Sequence, residues 1–179
     1  MSSYVAEVLL VKLTPVDDNL INAVVSHLAR LGFRTSVLIW PLHVPLTLFD
    51  WSRRQFKAEY ILDQIVREFR QFPFDAIIAI GYIDAYADGY NFVFGYSTKK
   101  FGTVYTKRLK SEDMSLYAIR VVKEVTHELG HALGLEHCDN PHCVMSLSNS
   151  IEEVDRKSPF FCDKCKAKLL GLLKFQERV

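Results

Sequence analysis

The sequence predicts an α/β (α+β) fold in which helices pack against a mixed sheet. Strand-like and helical patterns occupy residues 1–134 in the order strand, helix, strand, helix, strand, strand, strand, helix. The run AIIAIGYI at residues 76–83 is continuously apolar, which is typical of a central strand buried on both faces. After about Gly134 the strand patterns stop and the four cysteines follow. We therefore expect residues 1–134 and residues 135–179 to form two subdomains.

The boundaries of these elements follow from hydrophobic periodicity and from residues that begin or end helices. Strands are predicted at residues 4–13, 33–40, 76–83, 91–97 and 102–109. Helices are predicted from Asp17 to Gly32, at residues 53–72, from about Ser111 into the histidine-rich motif described below, and at residues 164–175. Their apolar stripes indicate packing against the sheet.

Composition and charge argue against several classes of protein. The chain has 179 residues, of which 49% are hydrophobic and 24% charged, as in globular domains with a packed core. Its net charge of +1 argues against a nucleic acid or an acidic membrane as partner. Residues 1–15 lack the layout of a signal peptide, because Glu7 interrupts the apolar run and Lys12 closes it. We expect a cytoplasmic monomer without a membrane-spanning segment.

The run HELGHALGLEH, which begins at residue 127, has the spacing of a metal site. His127 and His131 lie four residues apart, so they share one face of a helix and can bind one metal. Glu128 is placed beside the metal, where it can hydrogen-bond a metal-bound water and accept its proton. A short match of this kind also occurs by chance. The glycine and the third histidine that follow at fixed offsets are what favour a zinc site.

A third histidine completes the predicted ligand set. On a continuous helix, His137 would lie about 240° around from His131 and roughly 9 Å further along the axis. The chain must therefore turn back, and Gly134 permits the positive φ that such a turn needs. Three histidines leave one tetrahedral position open, as a catalytic zinc requires. Zinc would lower the pKa of a water molecule there and polarise a carbonyl, with Glu128 as general base.

The four cysteines predict a second, structural zinc site. They occur as two closely spaced pairs, Cys138-x4-Cys143 and Cys162-x2-Cys165, and four thiolates so spaced suit a closed tetrahedral site. The second pair alone could be a redox motif, but two pairs in a reducing compartment favour metal over disulfides. His142 lies inside the first pair and is the alternative to one cysteine as ligand.

The run HELGHALGLEHC-x4-C-x-M, followed further on by C-x-x-C, resembles the archaemetzincins, a family of metzincin zinc metallopeptidases. The resemblance implies a metzincin-like fold with a mixed, mostly parallel sheet, an antiparallel edge strand, helices packed on the sheet, and a zinc-bound C-terminal subdomain. It also implies two zinc ions. The catalytic ion would be held by His127, His131 and His137, and the structural ion by Cys138, Cys143, Cys162 and Cys165.

The resemblance assigns further roles. Met145 matches the Met-turn methionine, which in metzincins packs beneath the metal as a hydrophobic floor. The run NFVFGYS matches the edge strand along which metzincins hold their substrate. Leu147 departs from the pattern, because some metzincins have a tyrosine near the metal at this place. The implied candidate substrate contacts are Phe92, Val93, Phe94 and Gly95.

The predicted function is that of a zinc peptidase, of endopeptidase or aminopeptidase type, acting on a peptide or protein substrate. The alternative is a zinc-binding protein of the same fold that binds peptides with little or no turnover. Glu128 favours catalysis, because a structural site has no use for a carboxylate there. A binding surface in the tail is a third hypothesis, but a solvated helix face better explains its lysines. These are Lys157, Lys164, Lys166, Lys168 and Lys174.

The two predicted metal sites share a short piece of chain. His137 and Cys138 are neighbours, and Cys143 lies two residues before Met145. We hypothesise that the structural zinc holds the third histidine and the methionine in place. His27 and His43 lie far from these motifs and are predicted to be surface or hydrogen-bonded structural histidines.

Overall fold

The computed structural model describes residues 5–42 and 46–176. The strands are β1 (Ala6–Lys12), β2 (Phe33–Ile39), β3 (Phe49–Asp50), β4 (Gln55–Lys57), β5 (Ala76–Gly81), β6 (Ala85–Ala87), β7 (Tyr90–Val93), β8 (Gly95–Thr98) and β9 (Phe101–Tyr105). The helices are α1 (Asp18–Arg30), α2 (Ala58–Phe69), α3 (Met114–Ala132), α4 (Ile151–Arg156) and α5 (Asp163–Gln176). Two predictions, for Tyr4 in the first strand and for His43, lie outside the described residues.

The main sheet has the strand order β2-β1-β5-β9-β8. Its first four strands are parallel to one another, and β8 pairs with β9 in the antiparallel direction. All six residues of β5 are buried, because its apolar sequence can face apolar layers on both sides of the sheet. β2 and β8 form the two edges. The prediction of a mixed, mostly parallel sheet with an antiparallel edge strand is confirmed.

Two hydrophobic cores cover the opposite faces of this sheet. Side chains alternate along β1, so Val8 and Leu10 enter one core, whereas Leu9 and Val11 enter the other. Helices α1 and α3 pack in the first core and α2 packs in the second. Helix α3 contacts β5, β9 and the edge strand β8. The helix that carries the histidine motif therefore packs on the half of the sheet that ends in the antiparallel strand β8.

The first predicted helix is confirmed at both ends. The carboxylate of the N-cap residue Asp17 accepts a hydrogen bond from the Asn19 backbone N–H (2.8 Å). Gly32 has a φ of +91° just after the helix, a value that favours glycine. His27, on this helix, is buried, and its Nε2 is 2.9 Å from the Pro159 carbonyl. It is a hydrogen-bonded structural histidine, as predicted.

The helix predicted at residues 53–72 begins only at Ala58. Arg54 has a φ of +56°, which a right-handed helix excludes. Gln55 is buried, and its side-chain amide donates to the Asp84 carboxylate (3.0 Å) and the Asn91 carbonyl (3.1 Å). Residues 55–57 instead form β4 in a second sheet of order β3-β4-β6-β7.

The strand predicted at residues 91–97 is divided between the two sheets. β7 pairs with β6 in the second sheet, whereas β8 pairs with β9 in the main sheet. Phe94 lies buried between them, and its carbonyl accepts a hydrogen bond from the Tyr105 N–H (2.8 Å). The chain crosses from one sheet to the other at this residue, which local periodicity does not show. The strand predicted at residues 102–109 also ends early, at Tyr105, before a 3₁₀ turn at Lys107–Leu109.

In the part of the chain described after α3, only helices are regular elements. Helix α5 covers the segment predicted at residues 164–175, whereas α4 is not among the predicted elements. Val144, Met145, Leu169 and Leu173 join the first core, so this part packs against α3. Among the described residues, no helix combines the length and apolarity that crossing a membrane requires.

Loss of the N-cap of α3 should destabilise the protein. The Asp113 carboxylate accepts hydrogen bonds from the backbone N–H groups of Ser115 (2.8 Å) and Leu116 (3.3 Å). Replacing such a cap by alanine costs about 1 kcal/mol. We expect Asp113→Ala to lower the melting temperature by roughly 2–4 °C. Glu112→Ala, at the exposed neighbouring position, is the control. An unchanged melting temperature for Asp113→Ala would contradict the capping role.

Candidate metal centre

Three histidine side chains converge at the C-terminal end of α3. His127 and His131 lie on the last turns of the helix, and His137 comes from the turn that follows. One ring nitrogen from each lies within 4.8 Å of the others. The Nε2 atoms of His127 and His131 are 3.0 Å apart. The structure thus brings together the three histidines predicted to hold a catalytic zinc.

Backbone carbonyls orient two of the three rings. His127 Nδ1 donates to the Val144 carbonyl and His131 Nδ1 donates to the Leu135 carbonyl, both at 2.8 Å. With a proton on Nδ1, each Nε2 keeps its lone pair for a metal. Burial lowers the pKa of His131, and it lowers the pKa of His127 well below the usual range. Burial therefore favours the neutral form of both rings, which is the form that binds a metal.

Gly134 ends the helix and reverses the chain. Its φ is +103°, and the Leu135 N–H donates to the Gly130 carbonyl (2.9 Å). His137 then returns to the other two rings, with ring centroids 5.4 Å from His127 and 4.6 Å from His131. Its side chain is exposed and makes no hydrogen bond to another described residue. It is the least constrained of the three rings.

Glu128 is buried between α3 and the edge strand β8. Burial raises the pKa of its carboxyl to about 8, and a hydrogen bond from Ser97 acts in the opposite direction. A Cβ placed on Gly95 would lie 2.6 Å from Cγ and Cδ of Glu128. The carboxylate therefore fits only because β8 carries no side chain at this point. This role of Gly95 is not visible from the spacing of the motif.

Met145 is fully buried against α3. A Cβ placed on Gly130 would collide with Met145 Sδ and would lie 3.2 Å from Phe161 Cε1. The glycine inside the histidine motif is therefore needed for the close approach of the methionine. A glycine in a helix interior costs about 1 kcal/mol relative to alanine. A glycine inside a predicted helix is therefore the sequence signal that could have indicated a packing role for Gly130.

The four cysteines form a second cluster, and all are free. Their sulfur atoms lie within 4.8 Å of one another, and the Sγ atoms of Cys138 and Cys162 are 3.8 Å apart. Zinc–sulfur bonds of about 2.3 Å in a tetrahedral site require sulfurs at roughly this spacing. His142 is exposed and does not belong to the cluster. The donor set and its spacing therefore fit zinc.

A short segment, Cys143–Ser146, connects the two clusters; we name it the floor segment. Cys143 belongs to the cysteine cluster, Val144 orients His127, and Met145 packs on Gly130. The Met145 carbonyl also accepts a hydrogen bond from the Cys138 N–H (2.9 Å). Displacement of this segment would therefore act on both clusters.

A cleft of about 420 Å³ opens onto the three histidines and Glu128. All four candidate substrate contacts, Phe92, Val93, Phe94 and Gly95, line it. Only Gly95 belongs to the edge strand β8, so the expectation that the four share one edge strand is wrong. The chain changes sheets at Phe94. Leu147, at the place where some metzincins have a tyrosine, also lines the cleft and is 46% exposed.

Lys157 does not belong to the solvated lysine face predicted for the tail. Its side chain is fully buried, and its Nζ lies 2.8 Å from Oε1 of Glu124. Glu124 lies one helical turn before Glu128 on α3 and lines the cleft. A glutamate on the buried side of an amphipathic helix is the signal that could have indicated a buried cationic partner. The exposed lysines of the tail are Lys164, Lys166, Lys168 and Lys174.

These features together are those of a metzincin-type metallopeptidase. A helix carries two histidines and a glutamate, a glycine turn returns a third histidine, and a buried methionine packs against the helix. The donor sets, three imidazoles and four thiolates, are ones that zinc takes in catalytic and structural sites respectively.

Comparison with known proteins identifies the family. The model of peptidase family M54 matches residues 4–170. Archaemetzincin from Sulfolobus acidocaldarius is 47% identical over 169 residues, which cover 91% of this chain and 96% of that protein. Archaemetzincin from Saccharolobus solfataricus is 38% identical over 179 residues, covering 96% and 97%. The crystal structure of archaemetzincin from Methanopyrus kandleri gives a TM-score of 0.85 at 34% identity, over 97% of each chain. The chain therefore belongs to peptidase family M54, the archaemetzincin family of zinc metallopeptidases.

A side chain at position 95 should displace Glu128. Because a Cβ there would overlap the carboxylate group, we expect Gly95→Ala to lower kcat/KM for peptide cleavage by at least ~10²-fold if Glu128 takes part in catalysis, since misplacing a catalytic group has effects of this size. Gly171→Ala is the control, since a Cβ on Gly171 meets no atom within 4 Å. Equal activity of the two variants would show that the contact between Gly95 and Glu128 does not matter.

Proposed function

We propose that this protein hydrolyses peptide bonds at a catalytic zinc held by His127, His131 and His137, with Glu128 as general base. The observation that carries the proposal is the convergence of three metal-ligating nitrogens next to a buried carboxylate, at the base of an open cleft. A purely structural zinc site would have four protein ligands and no open position, and the carboxylate beside it would have no chemical role.

Zinc and Glu128 would have different roles in the reaction. Zinc bound by the three histidines would act as a Lewis acid that lowers the pKa of water and polarises the scissile carbonyl. Glu128 accepts the proton of the attacking water and passes it to the leaving amine. Burial raises the pKa of its carboxyl to about 8, which makes the carboxylate a stronger base, and the positive charge of a bound zinc would favour the ionised form that accepts the proton. Burial also keeps competing water away from its oxygens.

The substrate would lie in extended form along β8. As an edge strand, β8 pairs with β9 on one side only, so its other side can bind a peptide backbone. Phe92, Val93, Phe94 and Gly95 remain the proposed contacts. Phe92 and Val93 would contact substrate side chains from the adjoining wall, the buried Phe94 would contribute only the small surface that lines the cleft, and Gly95 would contact the backbone. The cleft would separate residues 1–134 from residues 135–179, which we propose as the two subdomains.

A second zinc would be held by Cys138, Cys143, Cys162 and Cys165. The floor segment supports the hypothesis that this ion braces the catalytic site. Within it, one cysteine ligand, the carbonyl that orients His127 and the buried Met145 follow one another directly. Met145 would then act as the Met-turn residue beneath the metal.

Loss of one cysteine should weaken the histidine site. We expect two zinc ions per wild-type chain and one or fewer in Cys165→Ser. Zinc affinity at the histidines should fall about 10-fold or more, because supporting groups of metal ligands commonly have effects of this size. Metal analysis and chelator competition measure both quantities, and far-ultraviolet circular dichroism checks that the sheet remains. Unchanged affinity at the histidine site would contradict the bracing role.

Cleavage should depend on Glu128. A peptide library incubated with the zinc-loaded protein should be cut, and Glu128→Ala and the isosteric Glu128→Gln should each reduce the rate by about 10²–10⁴-fold. Zinc content should stay at the wild-type level in both variants, which excludes loss of the metal as the cause. The termini of the products distinguish endopeptidase from aminopeptidase cleavage.

Two other outcomes would count against this function. Cleavage that persists in the Glu128 variants would identify a contaminating protease. No cleavage by the wild-type protein, with zinc bound, would favour a zinc-dependent peptide-binding protein of the same fold.

A further inference from the structure

Three polar side chains on α3 face the end of α4. Arg120 forms two hydrogen bonds to the Asp155 carboxylate (2.7 and 2.6 Å). Lys123 Nζ donates to the carbonyls of Val154 and Asp155, both at 3.0 Å. Glu124 forms the ion pair with Lys157, the residue directly after α4. These contacts connect α3 to the C-terminal end of α4, and Glu124 is the contact residue nearest to the histidines in the sequence of α3.

The pair nearest the histidines is the most deeply buried. The Glu124 side chain is 4% exposed and the Lys157 side chain 0%, against 37% for Asp155 at the outer end. Nζ and Oε1 lie 2.8 Å apart without the direction of a good hydrogen bond, so the contact is primarily ionic. Burial of such a pair has a large desolvation cost and is weak support for stability. A role in fixing the relative positions of α3 and the chain after α4 is therefore a better explanation for the pair than a contribution to stability.

Lys157 also reaches the floor segment. Its Nζ donates to the Ser146 carbonyl at 3.5 Å. Ser146 directly follows Met145, and Val144, which orients His127, comes one residue before that methionine. The floor segment thus belongs to the cysteine cluster at its first residue and accepts a long hydrogen bond from Lys157 at its last residue.

We propose that Glu124 and Lys157 are positioning residues of the metal centre. The pair fixes the distance between α3 and the floor segment, so that the Val144 carbonyl and Met145 stay in register with His127. It acts at the end of the segment opposite to the cysteines and does not depend on the structural zinc. The proposal rests on the proposed function only in that the histidines are taken to bind a metal.

The test compares Lys157→Met with Lys12→Met. Lys12 pairs with Asp18 at 3.0 Å, and its side chain is only 12% exposed, but Asp18 is 87% exposed and keeps its hydration when its partner is lost. A third variant, Glu124→Leu/Lys157→Met, removes both buried charges and so leaves no unpaired one.

Zinc affinity at the histidines and the absorption spectrum of cobalt-substituted protein are the readouts. Cobalt separates the two sites, because only the cysteine site gives thiolate-to-cobalt charge-transfer bands. We expect Lys157→Met to weaken metal binding at the histidines by about 10–100-fold and to change the histidine-site cobalt bands. Lys12→Met should match the wild type. The double variant should regain the wild-type melting temperature but not the affinity or the bands.

Two results would overturn the proposal. One is wild-type affinity and bands in Lys157→Met. The other is full recovery of affinity in the double variant, which would show that the pair matters only as a compensated buried charge. If Lys157→Met does not fold, the double variant alone decides between recovery and loss of affinity. A wild-type protein that binds metal at the histidines but cleaves no peptide would refute the peptidase function, while this comparison would still decide the role of the pair.

Discussion

The hydrogen bond from His127 Nδ1 to the Val144 carbonyl joins the two parts of the chain that form the site. The histidine belongs to α3, whose position is set by the sheet, and the carbonyl belongs to the floor segment, whose position is set by the tail. One bond fixes both the orientation of the ring and the position of its proton. The geometry of the three histidines therefore depends on how firmly the floor segment is held against α3.

Close packing of α3 against its neighbours is the second requirement, and glycines permit it on two sides. Gly95 leaves space for the Glu128 carboxylate under β8, and Gly130 leaves space for Met145 on the opposite side. Gly102 on β9 adds to the first contact, since a Cβ there would lie 3.3 Å from Cβ of Glu128. The helix is thus confined between the sheet and the floor segment, with little freedom to shift.

The sequence predicts the parts of this site that local spacing encodes. The helical pair of histidines, the glycine turn and the two cysteine pairs are short-range patterns, and the structure brings each group together. The division of residues 91–97 between two sheets depends on pairing with strands elsewhere in the chain, so local alternation does not reveal it. The burial of Lys157 likewise depends on Glu124, a distant partner in sequence. The late start of α2 follows from the backbone of Arg54 and from the long-range hydrogen bonds of Gln55.

The open edge strand beside the cleft also carries a risk of aggregation. A strand that can accept a peptide backbone also offers a template for any other extended chain, including a partly unfolded copy of the same protein. The opposite edge of the main sheet is open as well in the described structure, and there β2 exposes Val37, Leu38 and Ile39. Charges or prolines that would protect β8 from aggregation would also obstruct a substrate bound along β8 in the way we propose. The unpaired backbone groups of β8 must therefore stay accessible for a substrate, and the same accessibility lowers the resistance of the protein to aggregation.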